Sequence, residues 1–357
     1  MTMRAAVFQG VREPLEIQEV DRPDPDPDEV VVETDACGIC RSDWHAWQGD
    51  WDWIGVVPQP GLIFGHEPAG TVTAVGDDVE RFAPGDRVTV PFNLGDGSCP
   101  HCRMGRSNLC ERSTPLGFLP ITPGAFAEEF PVREADHNAV RLPDSADPVD
   151  VAGLGCRFAT AFHGLAHRVD LDPGDWVAIH GCGGVGLSAV QIAAALGANV
   201  AAVDIADEKL SMAEDLGADE TVNATEVKDV PQAVKGITDS SRGMDVSVDA
   251  LGVAETCRNS INSLDKRGQH LQIGMTTSEE EGSVDVPVDA MVTKEIDFYG
   301  SYGMPPAEYD EIFRMMDRGK VDPGAIVTET VGLDDVPEMI PKYDEFATLG
   351  IPVVNEF

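Results

Sequence analysis

The sequence predicts an α/β protein that combines a mostly β domain with a doubly wound parallel sheet. Two observations support this fold class. Up to about residue 150, short apolar runs are separated by turns rich in proline, glycine and aspartate, which is typical of strands. From residue 175 onwards, short apolar strands alternate with helical patterns, as in parallel sheets covered by helices on both faces. A chain of 357 residues is long enough for more than one core.

The individual elements follow from the period of the apolar residues. In the first part, strands are predicted at 5–8, 15–20, 30–33, 71–75 and 86–91, with strand-like alternation again over 124–142. An Ala- and Gly-rich run from 147 to 168 has helical spacing. Beyond it, strands are predicted at 175–180, 199–205, 220–223, 244–250, 269–274, 295–301 and 351–354. Helices are predicted at 187–198, 207–218, 227–238, 254–264 and 307–318.

A glycine-rich loop, GCGGVG, directly follows the strand at 175–180 and opens a helix. The next strand ends in an acid about 20 residues further on, which completes the Rossmann dinucleotide fingerprint. Gly181 permits the tight turn, Gly183 lets the backbone approach a pyrophosphate, and Gly186 lets helix and strand pack closely. The N-terminus of the helix carries partial positive charge toward the phosphates. The predicted cofactor-binding residues of this loop are Gly181, Gly183, Gly184, Val185 and Gly186.

The acid that ends this strand is Asp204. Its carboxylate is expected to accept hydrogen bonds from the adenosine ribose hydroxyls and to repel a 2′-phosphate. Ile205, Ala206 and Asp207 follow, so the sequence places no arginine there to receive such a phosphate. The sequence therefore predicts NAD rather than NADP.

A second set of chemical residues lies between positions 36 and 67. Cys40, Ser42 and His45 are close in sequence, and the stretch closes on His66 and Glu67. A thiolate, an imidazole and a carboxylate suit a borderline-soft, four-coordinate ion such as zinc. The stretch has too few ligands to close a tetrahedron, so either a further protein ligand lies elsewhere or the site does not hold zinc.

A cysteine-rich segment follows at DGSCPHCRMGRSNLC. Cys99, Cys102 and Cys110 have a spacing that suits a structural zinc in a lobe of about residues 93–112. An empty lobe, or another arrangement of the thiols, remains an alternative. His101 lies inside the loop at a spacing that does not match a ligand, and it is interpreted as a solvated loop residue.

The segment CGICRSDWHAWQGDW, followed by GHEPAG, resembles the zinc-dependent medium-chain alcohol dehydrogenases, and the resemblance covers essentially the whole chain. It implies that Cys40 and His66 are ligands of a catalytic zinc. The motif GCRFAT matches the family's third ligand position, which implies Cys156 as that ligand and leaves one open position. Four cysteines normally hold the structural zinc of this family; here Asp96 stands at the first position, and a carboxylate oxygen can also bind zinc.

The resemblance also implies roles for the remaining residues. Ser42 would take the proton of the substrate hydroxyl, His45 would pass it to solvent, and Glu67 would be a nearby carboxylate able to approach the metal. Arg41 would lie near the pyrophosphate, Lys209 near the adenosine ribose and Thr160 beside the nicotinamide.

At the level of domains, the resemblance implies a GroES-like catalytic domain over 1–157, an NAD-binding Rossmann domain over 158–297 and a return segment, 298–357, that completes the first domain. It further implies a homo-oligomer, either a dimer or a tetramer.

The implied activity is reversible hydride transfer between a primary or secondary alcohol and NAD through a zinc-bound alkoxide, with the aldehyde or ketone as product. Three alternatives stand beside it. A polyol or sugar dehydrogenase shares the fold but usually lacks a cysteine at the position of Cys156. A zinc-free quinone reductase lacks the metal ligands. A non-catalytic metal- and nucleotide-binding protein would leave Ser42 and His45 without a role.

Four of the five tryptophans fall within ten residues, at Trp44, Trp47, Trp51 and Trp53. They form either one aromatic cluster in the first domain or part of the wall of a substrate site. The second interpretation would favour apolar alcohols.

The composition excludes several other classes of function. Asp and Glu number 63 against 25 Lys and Arg, which gives a formal net charge of −38 and a pI near 4.3. Nucleic acid is therefore not an expected partner, because binding phosphates requires clustered cations. The eight cysteines fall in metal-like spacings rather than in a disulfide framework. The sequence shows neither a membrane span nor a signal peptide, so we expect a cytoplasmic protein with a small-molecule substrate.

The excess of acidic residues also favours an origin in a halophile, with a salt-saturated cytoplasm. Repulsion among the carboxylates destabilises the compact state at low ionic strength, and the Debye length shrinks to about 3 Å at 1 M salt. The melting temperature should therefore rise between dilute buffer and molar potassium chloride. An unchanged melting temperature across that range would contradict the halophilic interpretation.

Overall fold

The computed structural model describes residues 1–345 and 348–357. The chain divides into two compact units. The first contains Met1–Ala159, Gly303–Asp317 and Pro323–Phe357; the second contains Thr160–Tyr302 and Arg318–Asp322. These boundaries lie a few residues beyond the predicted ones at 157 and 297, and the short segment Arg318–Asp322 within the predicted return segment belongs to the second unit.

The strands of the described residues fall in the following order along the chain: β1 (Thr2–Val7), β2 (Glu16–Asp21), β3 (Val30–Gly38), β4 (Pro68–Val75), β5 (Arg87–Thr89), β6 (Asn93–Leu94), β7 (Thr114–Pro115), β8 (Glu129–Val132), β9 (Val140–Arg141), β10 (Trp176–His180), β11 (Asn199–Asp204), β12 (Glu220–Asn223), β13 (Met244–Asp249), β14 (Leu264–Gln272), β15 (Asp297–Gly300), β16 (Val327–Gly332) and β17 (Ile351–Glu356).

The α-helices are concentrated in the second half of the chain: α1 (Arg41–Gln48), α2 (Pro100–Arg103), α3 (Ala135–Asn138), α4 (Pro148–His163), α5 (Gly184–Leu196), α6 (Asp207–Asp215), α7 (Val230–Ile237), α8 (Ala254–Ser263), α9 (Val288–Lys294), α10 (Tyr309–Asp317) and α11 (Val336–Met339). No helix among the described residues is long and apolar enough to span a bilayer.

The first unit is built on a sheet in which β3 is the central strand. The strand order is β16-β17-β3-β4-β5-β9, with β8 also paired to β3. β16 and β17 are parallel, and the other pairs are antiparallel. β3 is buried along most of its length, and its end leads through Ile39 into the first turn of α1. The sheet thereby fixes where α1 begins.

The second unit contains a six-stranded, entirely parallel sheet in the order β12-β11-β10-β13-β14-β15. β10 lies in the middle and is paired with β11 on one side and β13 on the other. The order reverses direction between β10 and β13, and the carboxyl ends of strands at such a switch point form the usual ligand crevice of doubly wound sheets. This parallel sheet and the separate, mostly β unit confirm the predicted fold class.

The structure differs from the sequence predictions in several elements, including the following two. The strand-like segment 124–142 is interrupted by the short helix α3, because Asn138 binds the backbone of Gly95: its Nδ2 donates to the Gly95 carbonyl at 3.0 Å and its Oδ1 accepts the Gly95 N–H at 2.8 Å. These bonds hold the turn against the cysteine-rich lobe. Helix α9 lies in a region where the sequence predicted no helix.

Candidate metal centre and dinucleotide site

The first candidate metal ligand, Cys40, precedes helix α1. Its backbone N–H donates to Oδ2 of Asp43, one turn into the helix, at 2.9 Å. Asp43 thus satisfies one of the backbone donors that a helix N-terminus leaves unpaired. The Cys40 side chain is consequently presented at the start of α1 in a fixed orientation.

The second candidate ligand, His66, is bound by the same carboxylate. Asp43 Oδ1 lies 3.0 Å from His66 Nδ1 and also accepts the N–H of Gly65 at 3.3 Å. A carboxylate on Nδ1 selects the tautomer in which Nε2 carries the lone pair that a metal needs. His66 Nε2 is buried and has no hydrogen-bond partner among the described residues.

The third candidate, Cys156, follows a break in helix α4 at Gly155. Gly155 has φ 32° and ψ −152°, and a Cβ there would lie 2.5 Å from the carboxyl carbon of Glu67. Only glycine therefore lets the chain pass Glu67 so closely. The Cys156 N–H then donates to Glu67 Oε1 at 2.8 Å, and the two sulfurs of Cys40 and Cys156 lie 3.6 Å apart.

Glu67 is buried and paired with an arginine. Its Oε2 forms a buried ion pair with Arg157, whose guanidinium also donates to the Ile39 carbonyl at 3.1 Å. Burial raises the pKa of Glu67 to about 7, and the positive charge of Arg157 opposes this increase. Both carboxylate oxygens of Glu67 already accept hydrogen bonds.

The donor set fits zinc. One potential ligand atom from each of Cys40, His66, Glu67 and Cys156 lies within 4.8 Å of the others. Two thiolates at about 2.3 Å from a tetrahedral zinc would be about 3.8 Å apart, close to the 3.6 Å observed between the sulfurs of Cys40 and Cys156. The hydrogen bond between the two sulfurs lowers the pKa of Cys40, which favours its thiolate, and raises the pKa of its partner, Cys156. The unpaired Nε2 of His66 completes three donors.

The two proposed relay residues lie on α1. Ser42 is half-buried in the first turn. His45 was expected to pass protons to solvent, but it is only 8% exposed. Its ring stacks on Trp51 with 4.9 Å between centroids, and Trp44 meets it edge-on at 4.8 Å. The ring is therefore covered by the chain that follows α1, and the predicted role of His45 in passing protons to solvent stays a prediction.

Aromatic rings connect His45 with the candidate metal ligand His66. Trp51 lies 6.3 Å from Phe118, and Phe118 lies 4.9 Å from the His66 ring. Phe92 approaches the His66 ring from another direction at 6.0 Å. Of the clustered tryptophans, Trp44, Trp47 and Trp51 are buried, whereas Trp53 is partly exposed.

The cysteine-rich lobe brings Cys99, Cys102 and Cys110 together in a second cluster. The sulfur of Cys99 lies 3.5 Å from that of Cys102 and 3.8 Å from that of Cys110. Ligand atoms of these residues and of Asp96 lie within 4.8 Å of one another. The N–H of Cys102 donates to Cys99 Sγ at 3.4 Å and lowers the pKa of Cys99. All eight cysteines lie among the described residues, where none is paired in a disulfide.

Asp96 has partners of its own in this lobe. Its Oδ1 accepts the N–H groups of Ser98 and Cys99 at 2.8 and 2.9 Å, and its Oδ2 is paired with Arg112. The two backbone hydrogen bonds lower the pKa of Asp96, so it is ionised and able to bind a cation. The sulfur spacing and this carboxylate fit a zinc with three sulfur ligands and one oxygen ligand. His101 is half-buried rather than solvated.

In the second unit, the glycine-rich loop connects β10 to α5. A Cβ on Gly186 would lie 1.7 Å from the carbonyl oxygen of Gly181, so the close packing predicted for Gly186 is present. Helix α5 begins at Gly184, with Gly183 as its N-cap, and Gly184 and Val185 form the first turn. The free N–H groups of such a turn suit a phosphate.

Asp204 ends β11 and lies next to this loop. Its Oδ2 accepts the N–H of Cys182 at 2.7 Å, and its Oδ1 accepts those of Ile205 and Ala206 at 2.7 and 3.1 Å. The carboxylate therefore holds the glycine-rich loop to the end of β11, in addition to the ribose contact predicted for it. Cys182 is buried in the loop beside it.

The other predicted cofactor contacts lie on three helices. Arg41 begins α1, stacks over the Trp44 ring at 4.3 Å and donates to the Tyr343 carbonyl at 3.3 Å. Thr160 is buried in α4, and its carbonyl accepts the Ser301 hydroxyl at 2.9 Å. Lys209 is half-buried on α6.

Three charged residues that organise these sites were not predicted from the sequence: Asp43, Arg157 and Asp50. A partial signal existed for each. Asp43 stands three residues after Cys40, the capping position of a helix N-terminus. Arg157 directly follows Cys156, and Asp50 follows the glycine that ends α1.

Both parts of the chain match known protein families. Residues 26–144 match the family described as the alcohol dehydrogenase GroES-like domain, and residues 184–318 match the zinc-binding dehydrogenase family. The chain is 34% identical to an alcohol dehydrogenase of Geobacillus stearothermophilus over 344 residues, which span 96% of each protein. The chain belongs to the zinc-binding alcohol dehydrogenase family. It is thus an oxidoreductase of the predicted family.

Other relatives in this family carry different names. An NAD-dependent alcohol dehydrogenase of Saccharolobus solfataricus is 31% identical over 99% of both chains. A sorbitol dehydrogenase of Bacillus subtilis is 34% identical over 96% of this chain and 94% of its own length. The predicted cofactors, zinc and NAD, agree with the family.

Solved structures of the family have the same fold. Alcohol dehydrogenase TADH from Thermus sp. ATN1 superimposes with a TM-score of 0.89 at 31% identity, over 99% of this chain and 100% of that one. A zinc-binding dehydrogenase from Sinorhizobium meliloti, solved with NADP, has a TM-score of 0.86 at 29% identity, over 99% of each chain.

The two clusters generate a prediction about metal content. Elemental analysis should find two zinc ions per chain. Cys40→Ala should remove one of them, and Asp96→Ala should lower the occupancy of the other and make the lobe thiols reactive toward a thiol reagent. Asp77→Ala, which removes an exposed turn carboxylate, is the control and should retain both ions. A single ion that is lost in Cys40→Ala, with lobe thiols that react in the parent chain, would mean that the lobe holds no zinc.

Proposed function

We propose that this chain catalyses the reversible oxidation of primary or secondary alcohols to carbonyl compounds, with NAD as the hydride acceptor. The observation that carries the proposal is the cluster of Cys40, His66 and Cys156, in which two buried carboxylates position three donors for one ion. When bound, zinc supplies Lewis acidity at the substrate oxygen and NAD accepts the hydride.

Residues around that centre orient the metal ligands and transfer the proton of the substrate. Asp43 orients Cys40 and His66, while Glu67 and Arg157 orient Cys156. Ser42 then takes the proton of the substrate hydroxyl, and His45 receives it. This is a general-base task suited to a group that titrates near neutral pH.

The aromatic rings beside this centre favour an apolar substrate. Phe118 and Phe92 pack against the His66 ring, and Phe118 and Trp51 connect it with His45. Burying an alkyl group against these rings is favourable because it removes apolar surface from water. The rings offer no hydrogen-bond partners to the hydroxyls of a polyol, which would be costly to bury. A polyol substrate is the second candidate, because a sorbitol dehydrogenase is among the relatives.

Cofactor choice rests on the end of β11. Asp204 is followed by Ile205, Ala206 and Asp207, so negative charge and no arginine stand where a 2′-phosphate would have to be received. We infer a preference for NAD. The relative from Saccharolobus solfataricus carries an NAD-dependent name, whereas the structure from Sinorhizobium meliloti was solved with NADP, so the preference needs a direct test.

Steady-state kinetics at 340 nm in high salt test the proposed function. Turnover with NAD should be faster for 1-butanol or 2-butanol than for sorbitol or glucose. The value of kcat/KM should be at least ~10-fold higher with NAD than with NADP, a difference of about 1.4 kcal/mol. Cys156→Ser, which weakens one ligand, is the inactive control. A preference for sorbitol would favour the polyol candidate, and an absence of turnover with every substrate would favour a non-catalytic protein.

We also propose that two copies of the chain associate through the β15 edge of the parallel sheet. Within the described part of the chain β15 is paired in the sheet only with β14, and Phe298 on it is 47% exposed. The nearby helix α9 presents Val288 and Val292 to solvent. An unpaired strand edge with apolar side chains is a template for pairing with an identical edge in a two-fold dimer.

Sedimentation velocity in high salt tests this association. The parent chain should sediment as a dimer or a larger assembly, and Phe298→Lys combined with Val292→Lys should shift it toward the monomer. Val57→Lys, which changes an exposed valine of the first unit, is the matched control. A monomeric parent chain would contradict the proposal, and so would a double variant that remains fully associated.

A further inference from the structure

The chain reverses at the end of helix α1 and brings the carboxylate of Asp50 to the relay histidine, His45. Gly49 ends the helix in the left-handed conformation at φ 82°. The N–H of Gly49 donates to the Ala46 carbonyl at 3.2 Å, and that of Asp50 donates to the His45 carbonyl at 2.9 Å. This reversal of the chain at a helix C-terminus places Asp50 Oδ2 2.6 Å from His45 Nδ1.

Both partners of this contact are buried. Asp50 is 4% exposed and His45 is 8% exposed. The Trp51 ring covers one face of the imidazole, and Trp44 packs at its edge. A buried carboxylate is costly unless it is paired with a hydrogen-bond donor, and the imidazole supplies such a donor. The ring is therefore fixed in position and in hydrogen bonding.

We propose that Asp50 is a positioning residue for His45 in proton transfer. Its carboxylate accepts the Nδ1–H, so that the neutral ring keeps its lone pair on Nε2, the nitrogen that receives the proton. The same carboxylate stabilises the imidazolium that forms when Nε2 is protonated. The inference rests on the proposed alcohol oxidation, in which His45 receives the hydroxyl proton.

Three charged or titratable groups act on His45 besides its burial. Burial lowers the pKa of His45, and Arg41 on the same helix lowers it further, whereas Asp50 and Cys40 raise it. Of these three groups, Asp50 is hydrogen-bonded to the imidazole ring of His45. Loss of its negative charge must therefore lower the pKa of His45, and an amide in its place can donate to Nδ1 and select the wrong tautomer.

Asp50→Asn in the full-length, metal-loaded chain tests the proposal. A general base contributes roughly 10²–10⁴-fold, so we expect kcat for alcohol oxidation to fall by at least ~10-fold at neutral pH. The acid limb of the pH–rate profile should move to lower pH, since the base becomes weaker. Asp52→Asn removes the same charge from an exposed position two residues away and is the matched control. Its rate and pH profile should equal those of the parent chain.

A second measurement needs neither substrate nor cofactor. A protonated imidazole stacked on an indole quenches its fluorescence, so the emission of Trp51 should titrate with His45. His45→Gln identifies that transition by removing it. Asp50→Asn should shift the midpoint to lower pH. Asp50→Glu keeps a carboxylate, so its midpoint should lie closer to that of the parent chain. The Glu variant also serves if the Asn variant fails to fold.

The outcomes separate this inference from the proposed function. In the His45→Gln background, Asp50→Asn should cause no further loss of kcat. Equal losses in both backgrounds, or an unchanged fluorescence midpoint with a lower melting temperature, would show that Asp50 is merely structural and overturn the inference. A parent chain without alcohol oxidation would refute the proposed function, while the fluorescence midpoint would still decide whether Asp50 controls His45.

Discussion

The candidate metal centre depends on one buried carboxylate, that of Asp43. It joins two segments that are separated by more than twenty residues: it accepts the N–H of Cys40 at the start of α1, and it accepts hydrogen bonds from Gly65 and His66. Replacing it would leave buried donors unpaired, at about 1–3 kcal/mol each. More importantly, the sulfur of Cys40 and the Nε2 of His66 would lose the common anchor that makes them two ligands of one site.

A second carboxylate extends the same principle to the third ligand. Glu67 adjoins His66 in sequence, and its Oε1 accepts the N–H of Cys156. The segment 65–67 is therefore linked to Cys156 through Glu67 and to Cys40 through Asp43. Arg157 compensates the charge of Glu67 in an environment without solvent. Removing one partner of a buried ion pair typically costs about 3–5 kcal/mol. The arginine beside Cys156 is therefore as much a part of the centre as the ligands.

Features that are local in sequence could be predicted. The parallel sheet, the loop from Gly181 to Gly186 and the cysteine spacing of the lobe each follow from residue period or motif. The family resemblance added Cys156, which lies some ninety residues from His66. The contacts of Asp43 with His66 and of Arg157 with Glu67 could not be predicted, because they join segments far apart in sequence. The burial of His45 could not be predicted for a similar reason: its cover, Trp51, depends on the chain reversal after α1.

The acidic residues of this chain fall into two groups, solvated carboxylates and buried carboxylates, on which salt acts differently. Its 63 acidic residues give a formal charge of −38 against 25 Lys and Arg, and repulsion among the solvated carboxylates is screened by salt. Asp43, Asp50 and Glu67 are buried, and each is matched to a donor: His66, His45 and Arg157 respectively. Buried pairs are screened much less than exposed ones. Salt therefore acts on the stability of the fold, whereas the orientation of the ligands and of the relay base is set by contacts that salt does not reach.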